Sequence, residues 1–238
     1  MWPITKIAGP PVSTDTVLAM VKPPQDGSIS PPAGPMSFRR LIRTPAMTEE
    51  IRAAVAAERR DQAELLAGLT EEQWHAPSLC EGWRVKEVVA HTTLPFRSSV
   101  GRVLLETLKS AGRFNHASDR MARKDAAALS IDDLLGTLKA NIGHPWTPPG
   151  GGPAGALSHD IIHGLDITVA LGLDRQVPHD RLKIVLDGMN PRSVKYFGAD
   201  LDGKRLEATD MDWTFGEGEP IRRPAQELLL LVCGRSLA

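Results

Sequence analysis

Three of the seven histidines in the chain are spaced so that they could bind one metal ion. His159 and His163 are four residues apart in a segment that predicts a helix, so their rings project from the same face. The neighbouring Ile161, Ile162 and Leu165 indicate that this helix is largely buried. Two buried imidazoles need partners, because burying an unpaired polar group is unfavourable. A zinc site satisfies that need, although pairs at this spacing also occur as surface or core histidines.

His91 is the third candidate ligand. It lies within Val88-Val89-Ala90-His91-Thr92-Thr93, a segment with the apolar pattern of a buried helix. Taken alone, this periodicity favours a core histidine bonded to a backbone carbonyl. Together with His159 and His163, however, it would provide three neutral nitrogen ligands and leave a coordination position open, as catalytic zinc sites require. Helical bundles commonly build such sites from facing helices.

The elements that must position these histidines are predicted to be helical. Capping patterns occur at Thr70-Glu71-Glu72-Gln73 and at Ser130-Ile131-Asp132-Asp133, and Pro95 is expected to kink or interrupt the helix that carries His91. The predicted helices are Thr48–Leu69, a short one leading to Trp74, one from about Arg84, one from Ser130 to about Ile142, Ala154–Leu171 ending at Gly172, and Asp180–Phe197 interrupted near Pro191.

The last 40 or so residues read differently. Residues 205–214 mix apolar and polar side chains as in a strand, and Gly216-Glu217-Gly218-Glu219 predicts a hairpin turn. A closing helix is predicted over Ala225–Cys233, with Gly234 as its C-cap residue. The predicted fold class is therefore mainly α, an antiparallel four-helix bundle followed by a small α+β C-terminal domain.

Prolines are concentrated in the segment before the predicted bundle. Nine of the 19 prolines fall in residues 1–46, a stretch with little hydrophobic periodicity, which predicts a disordered extension. The predicted domains are thus this extension at 1–46, the bundle at 47–198 and the C-terminal domain at 199–238. No segment has the pattern of a secretory signal or of a membrane span.

Composition narrows the choice of partners. With 28 basic and 29 acidic residues the formal net charge is -1, which argues against a dedicated binder of nucleic acid or of a membrane surface. Two cysteines, Cys80 and Cys233, are too few for a disulfide framework or a cysteine-only zinc site. A cytoplasmic protein, monomeric or homodimeric, is expected.

Three stretches resemble a known family. Residues 73–91, Gln-Trp-His-Ala-Pro-Ser-Leu-Cys-Glu-Gly-Trp-Arg-Val-Lys-Glu-Val-Val-Ala-His, resemble the first motif of the mycothiol-dependent maleylpyruvate isomerase family, one of the DinB-like metal-binding bundles. His163-Gly164-Leu165-Asp166-Ile167 followed by Ala170-Leu171-Gly172 resembles its second motif. The segments 206–213, 216–218 and 228–235 resemble its small C-terminal domain.

The resemblance implies a divalent metal, zinc above all, held by His91, His159 and His163. It also implies mycothiol as thiol cosubstrate: a thiol at the open zinc position would become a nucleophilic thiolate. This thiolate would isomerise a small electrophilic substrate or be transferred to it. One departure bears on the substrate, since the isomerases typically carry glutamate where this chain has His159, which puts maleylpyruvate itself in question.

Two further residues are candidates for roles around the metal. Asp166, three residues after His163, could accept a hydrogen bond from a ligand imidazole, or it could simply brace the helix. Arg235 is a candidate catalytic and cofactor-binding residue that could meet a carboxylate of the thiol or substrate, with helix-end charge pairing as the alternative. Cys80, a single cysteine in a loop, is read as structural or incidental.

Two other functions remain open from the sequence. His159-Asp160-Ile161-Ile162-His163 differs from the zinc-peptidase pattern in having aspartate where the general-base glutamate stands, which leaves a zinc hydrolase as a less favoured hypothesis. A non-catalytic, metal-stabilised bundle that binds a ligand or partner is the other alternative.

Overall fold

The computed structural model describes residues 45–111 and 113–235. In this part of the chain the helices are α1 (Pro45–Ala67), α2 (Glu71–His75), α3 (Val85–Arg97), α4 (Val100–Lys109), α5 (Phe114–Ala128), α6 (Ile131–Ala140), α7 (Gly152–Thr168), α8 (His179–Asp187), α9 (Pro191–Phe197) and α10 (Ala225–Val232). The strands are β1 (Lys204–Ala208), β2 (Thr214–Gly216) and β3 (Glu219–Arg223). The predicted disorder of residues 1–46 lies, up to residue 44, outside the described residues.

The described part of the chain is mainly helical and contains one small sheet, as predicted. Helix α1 packs against α6 and α7, whereas α3 packs against α5, α6 and α7. The helix that carries His91 is therefore a direct neighbour of the helix that carries His159 and His163. Both helices are buried along most of their length, which brings three polar rings into an apolar interior.

Local capping chemistry sets where several of these helices begin. The Thr70 hydroxyl accepts the Gln73 N–H at 3.2 Å, and the Gln73 side chain accepts the Thr70 N–H at 2.9 Å. The same reciprocal pair joins Ser130 and Asp133 at the start of α6. Both predicted caps are confirmed, because each satisfies N–H groups that the first helical turn leaves without partners.

Of the two effects predicted for Pro95, a kink or an interruption, the interruption is absent. Helix α3 continues to Arg97, although the proline ring removes one N–H donor from this turn. Side chains supply donors to nearby carbonyls: Thr93 Oγ1 donates to Val89 O at 2.7 Å, and Arg97 Nη2 donates to Ala90 O at 2.8 Å. Helices α4 and α5, which follow, were not predicted from the sequence, although the apolar residues of α4 recur at helical spacing.

The sheet corrects the predicted hairpin. Strand β1 lies in the centre, pairing antiparallel with β2 and parallel with β3, so β2 and β3 do not pair with each other. Gly218 lies at the φ +117° of a left-handed backbone, and a Cβ there would approach Gly203 O to 2.2 Å. The prediction of a hairpin at Gly216–Glu219 is wrong, because β2 and β3 do not pair. Gly218, which has no Cβ, instead allows the chain to pass close to Gly203.

Two apolar clusters form the core. One joins α7, α8 and α9 to the sheet and to α10, and it includes Leu157, Ile161, Leu206 and Leu228. The other joins α1, α2, α3, α5 and α6, with the α7 residue Ile167 packed into it. Helix α7 thus contributes to both clusters, and this packing fixes the position of the helix that carries His159 and His163. Among the described residues, no helix has the length and apolar character needed to cross a membrane.

Candidate metal centre

His91, His159 and His163 converge in the interior between α3 and α7. The Nε2 atoms of His91 and His159 are 3.2 Å apart, and one ring nitrogen of each histidine lies within 4.8 Å of the others. Two nitrogens bound to one tetrahedral zinc ion at ordinary bond lengths would be about 3.3 Å apart. The three imidazoles are therefore placed as a metal site requires, and the two-helix arrangement predicted from the sequence is present.

Each imidazole is also held through its other nitrogen. Nδ1 of His91 lies 3.1 Å from the Ser118 hydroxyl, Nδ1 of His159 lies 2.9 Å from Asp160 Oδ1, and Nδ1 of His163 lies 3.0 Å from Asp166 Oδ2. A carboxylate that accepts the Nδ1 proton leaves Nε2 with its lone pair. This is the arrangement in which a histidine binds metal, with its ring orientation fixed from behind.

Burial keeps the three rings neutral. It lowers the pKa of His159 to about 3, although the neighbouring Asp160 acts in the opposite direction. Burial likewise lowers the pKa of His163, and it lowers that of His91 well below the ordinary value, with the two other imidazoles adding to the effect. Neutral imidazole is the form that coordinates a metal, so no proton has to be displaced at neutral pH.

Asp166 is fully buried beneath His163 and is bound by Arg235. Arg235 Nε donates to Oδ1 at 2.7 Å, and its Nη2 donates to Oδ2 at 2.9 Å. Burial alone would raise the pKa of Asp166, but the hydrogen bonds from Arg235 and His163 outweigh it and hold the pKa well below the usual range. Asp166 is thus an anion whose charge faces both a ligand imidazole and a guanidinium.

Arg235, predicted to meet a substrate or cofactor carboxylate, is buried and engaged within the protein. Besides its two bonds to Asp166, its Nη1 donates to Cys233 O at 3.2 Å. The geometry supports bracing of Asp166, while contact with a thiol or substrate remains a prediction.

A second aspartate–arginine pair lies behind His159. Asp160 Oδ1 faces His159, while Oδ2 accepts the Arg59 Nε–H at 2.8 Å. Arg59 also donates to His144 O at 2.7 Å, and it is almost completely buried. Sequence reasoning missed Arg59 and Ser118, because both lie in polar stretches where nothing in the local pattern indicates burial against another helix.

Cys80, which the sequence analysis interpreted as structural or incidental, also contacts the Asp166 carboxylate. Its Sγ donates to Asp166 Oδ2 at 3.0 Å and lies 3.8 Å from His163 Nδ1. Proximity alone would allow Cys80, His163 and Asp166 to form a second metal-binding group. Arg235 opposes this, because its guanidinium already binds both carboxylate oxygens and lies 3.6 Å from the sulfur, where it would repel a cation. The three histidines are the better metal set.

Two tryptophans border the site. The Trp83 ring lies 5.2 Å from His91 between centroids, and its Nε1 donates to Asp119 Oδ1 at 2.7 Å, in keeping with a packing role. The Trp146 ring meets His159 edge-on at 5.4 Å. Trp146 is half-buried in the loop between α6 and α7, so it covers the imidazole from the side of that loop.

Comparison with known proteins gives one match. The family model described as the mycothiol maleylpyruvate isomerase N-terminal domain matches residues 55–144. This stretch runs from within α1 past the end of α6 and includes His91, whereas His159 and His163 follow it. No curated protein and no solved structure matched the chain. The matched stretch contains the motif ending at His91, so the comparison supports the family resemblance predicted from that motif.

Proposed function

We propose that this protein is a zinc-dependent, mycothiol-dependent enzyme that activates a thiol for isomerisation of, or transfer to, a small electrophilic substrate. The observation that carries the proposal is the convergence of three buried, neutral imidazoles, two of which have Nε2 atoms 3.2 Å apart. The family match over residues 55–144 supports mycothiol as the thiol.

The ligands in this proposal are His91, His159 and His163, which leave room for one exogenous ligand. A zinc ion held there supplies Lewis acidity, which lowers the pKa of a thiol or water that reaches it. Because all three ligands are neutral, the site carries one more positive charge than a site with glutamate at position 159. This difference puts maleylpyruvate itself in question as the substrate.

The protein's own groups orient the ligands. Ser118, Asp160 and Asp166 each contact one ligand ring at Nδ1 and fix its orientation. Arg59 and Arg235 neutralise the two carboxylates and prevent them from turning toward the metal as competing ligands. The rings are thereby held in place before any metal or substrate binds, which reduces the reorganisation needed on binding.

The zinc-hydrolase alternative is disfavoured by Asp160. In that reading Asp160 would activate a water as general base, but one of its oxygens faces His159 and the other accepts from Arg59. A carboxylate occupied on both oxygens is not positioned to take a proton from water. The non-catalytic binding bundle has the same ligands and differs only in the absence of turnover.

Several finer features belong to the same proposal. The helical part is proposed to be an antiparallel, DinB-like four-helix bundle, with residues 199–238 as a small α+β domain. The protein is proposed to act in the cytoplasm, as a monomer or homodimer, on a low-molecular-weight thiol and a small electrophile, without nucleic-acid or membrane partners.

The test combines metal analysis with thiol consumption. Purified protein is expected to contain one zinc per chain, and to consume mycothiol with at least one member of a panel of electrophiles that includes maleylpyruvate. His91→Ala should abolish both, whereas His116→Ala, outside the site, should change neither. Bound metal without thiol consumption would favour the binding protein, and thiol-independent cleavage of an ester or amide would favour the hydrolase.

A further inference from the structure

We propose that Cys80 is a positioning residue for the metal site: its protonated thiol holds the Asp166 carboxylate in the orientation in which that carboxylate orients His163. The inference deepens the proposed function and rests on it, since it concerns the same three-histidine site. It assigns Cys80 neither to the metal ligands nor to the reacting groups.

The Asp166 carboxylate is the hub of this arrangement. Its Oδ2 is contacted by Cys80 Sγ at 3.0 Å, by His163 Nδ1 at 3.0 Å and by Arg235 Nη2 at 2.9 Å. Cys80 lies in the loop before α3, His163 lies in α7, and Arg235 lies just after α10. A carboxylate bound from three separate elements has little freedom to rotate, so the imidazole bound to it is fixed as well.

The thiol is itself held by the backbone of its loop. Leu79 N–H donates to Asp166 O at 2.9 Å, so this loop is bound to α7 at the same residue that receives the thiol. The Cys80 N–H donates to Ser78 Oγ at 3.1 Å, and Cys80 O accepts the Trp83 N–H at 2.9 Å. The loop leads directly into α3, so these bonds connect the helix of His91 with the helix of His163.

The surroundings keep the sulfur in its thiol form. A thiolate at 3.0 Å from Asp166 Oδ2 would place two anions in contact, whereas a thiol donates its proton to that oxygen. A hydrogen-bond donor is therefore the role that this position allows.

The test measures zinc affinity by competition with a chelator. Relative to wild type, Cys80→Ala is expected to weaken zinc binding by about tenfold, the lower end of the effect of losing a group that orients a ligand. Cys80→Ser, which restores a donor, should recover most of this loss. Cys233→Ala is the matched control, since it removes the other buried thiol, which makes no hydrogen bond to the Asp166 side chain within the described residues, and it should leave the affinity unchanged.

A second background separates positioning from general destabilisation. If Cys80 acts through Asp166, Cys80→Ala should have no additional effect on zinc affinity in an Asp166→Asn variant. An equal loss in both backgrounds, or no loss in either, would overturn the inference. A wild-type protein that binds no zinc would overturn the proposed function together with it, whereas an indifferent Cys80→Ala in a zinc-binding protein overturns this inference alone.

An infrared measurement on the intact protein guards against variants that fail to fold. The S–H stretching band of Cys80 should lie at the low frequency of a strong donor to a carboxylate, clearly apart from the band of Cys233. A band at the frequency of a thiol without an acceptor would contradict the hydrogen bond on which the inference depends.

Discussion

At the scale of single residues, the metal centre depends on what each imidazole contacts at Nδ1. One ring faces a neutral hydroxyl, and two face carboxylates that are each paired with an arginine. In the proposed zinc site the three imidazoles would therefore differ in electron donation, because a carboxylate acceptor makes an imidazole a stronger ligand than a hydroxyl does. His91, beside Ser118, is the ligand with the weakest support.

Ser118→Ala tests whether the Ser118 hydroxyl orients His91. Loss of the hydroxyl leaves His91 Nδ1 without its buried partner, and we expect zinc affinity to fall by about 10- to 100-fold. Competition with a chelator measures the change. Ser110→Ala is the control, because among the described residues the Ser110 hydroxyl is buried without a hydrogen-bond partner. Equal affinities of the two variants would contradict the role of Ser118.

The lowered histidine pKa values predict how the metal-free protein responds to acid. Below about pH 6.5 the unfolded chain takes up protons on these histidines, whereas the folded protein does not. Unfolding free energy should therefore fall as pH drops from about 6.5 towards 3, the pKa to which burial lowers His159. Each such proton contributes about 1.4 kcal/mol per pH unit.

Urea denaturation in the presence of a chelator measures this slope. His159→Gln should make the decline with falling pH shallower, because one of the buried titrating groups is gone. His116→Gln is the control and should retain the wild-type slope. A slope that is the same in wild type and His159→Gln would contradict the assignment of the acid sensitivity to the metal centre.

At the scale of elements, α7 packs so closely against its neighbours that an added Cβ at Gly164 would contact them. A Cβ at Gly164 would lie 2.7 Å from Arg175 Nη1 and 2.9 Å from Gln62 Nε2, both of which belong to a buried polar network around Glu58. Helix α7 therefore approaches α1 at the residue directly after His163. Any displacement there would be transmitted to His163.

Gly164→Ala should destabilise the protein by about 1–3 kcal/mol, because the added methyl group overpacks this contact. Gly136→Ala in α6 is the matched control: no atom lies within 4 Å of its added Cβ, and alanine should stabilise the helix by about 0.5–1 kcal/mol. Urea denaturation of both variants measures the difference. Stabilisation by Gly164→Ala would contradict the close approach of the two helices.

Some elements of the fold could be predicted from the sequence, and others could not. The helices of His91 and of His159 and His163 were predictable, since buried helices have dense apolar patterns. Thr70 and Ser130 marked the starts of two other helices, α2 and α6. Their mutual approach was inferred from the three histidines together with the family resemblance. Arg59, Ser118 and Cys80 were not predictable, because each contacts a residue distant in sequence. The hairpin prediction was wrong for the same reason, because β3 pairs with β1 rather than with its sequence neighbour β2.

At the scale of the whole molecule, the C-terminal elements share a core with the helix that carries two ligands. Leu206 in β1 and Leu228 in α10 are fully buried in the same cluster as Leu157 and Ile161 of α7. The domain boundary predicted after residue 198 therefore divides a continuous apolar core. We expect the two parts to unfold together rather than one after the other.

Leu206→Ala tests this cooperativity. It should lower the unfolding free energy by about 2–5 kcal/mol, and far-ultraviolet circular dichroism and tryptophan fluorescence should still report one coincident transition. Leu104→Ala, which alters a leucine that is 42% exposed, should change stability little. Separate transitions for the two signals would show that the C-terminal part unfolds independently.

The two buried aspartate–arginine pairs have a consequence for how ligands bind. Arg59 cancels the charge of Asp160, Arg235 cancels that of Asp166, and the three imidazoles are neutral, so this set of residues sums to zero. A divalent ion therefore brings two uncompensated positive charges into a low-dielectric interior, where an anion is the natural counterweight. Metal and anion should bind synergistically, and by thermodynamic reciprocity each must strengthen the other's affinity by the same factor.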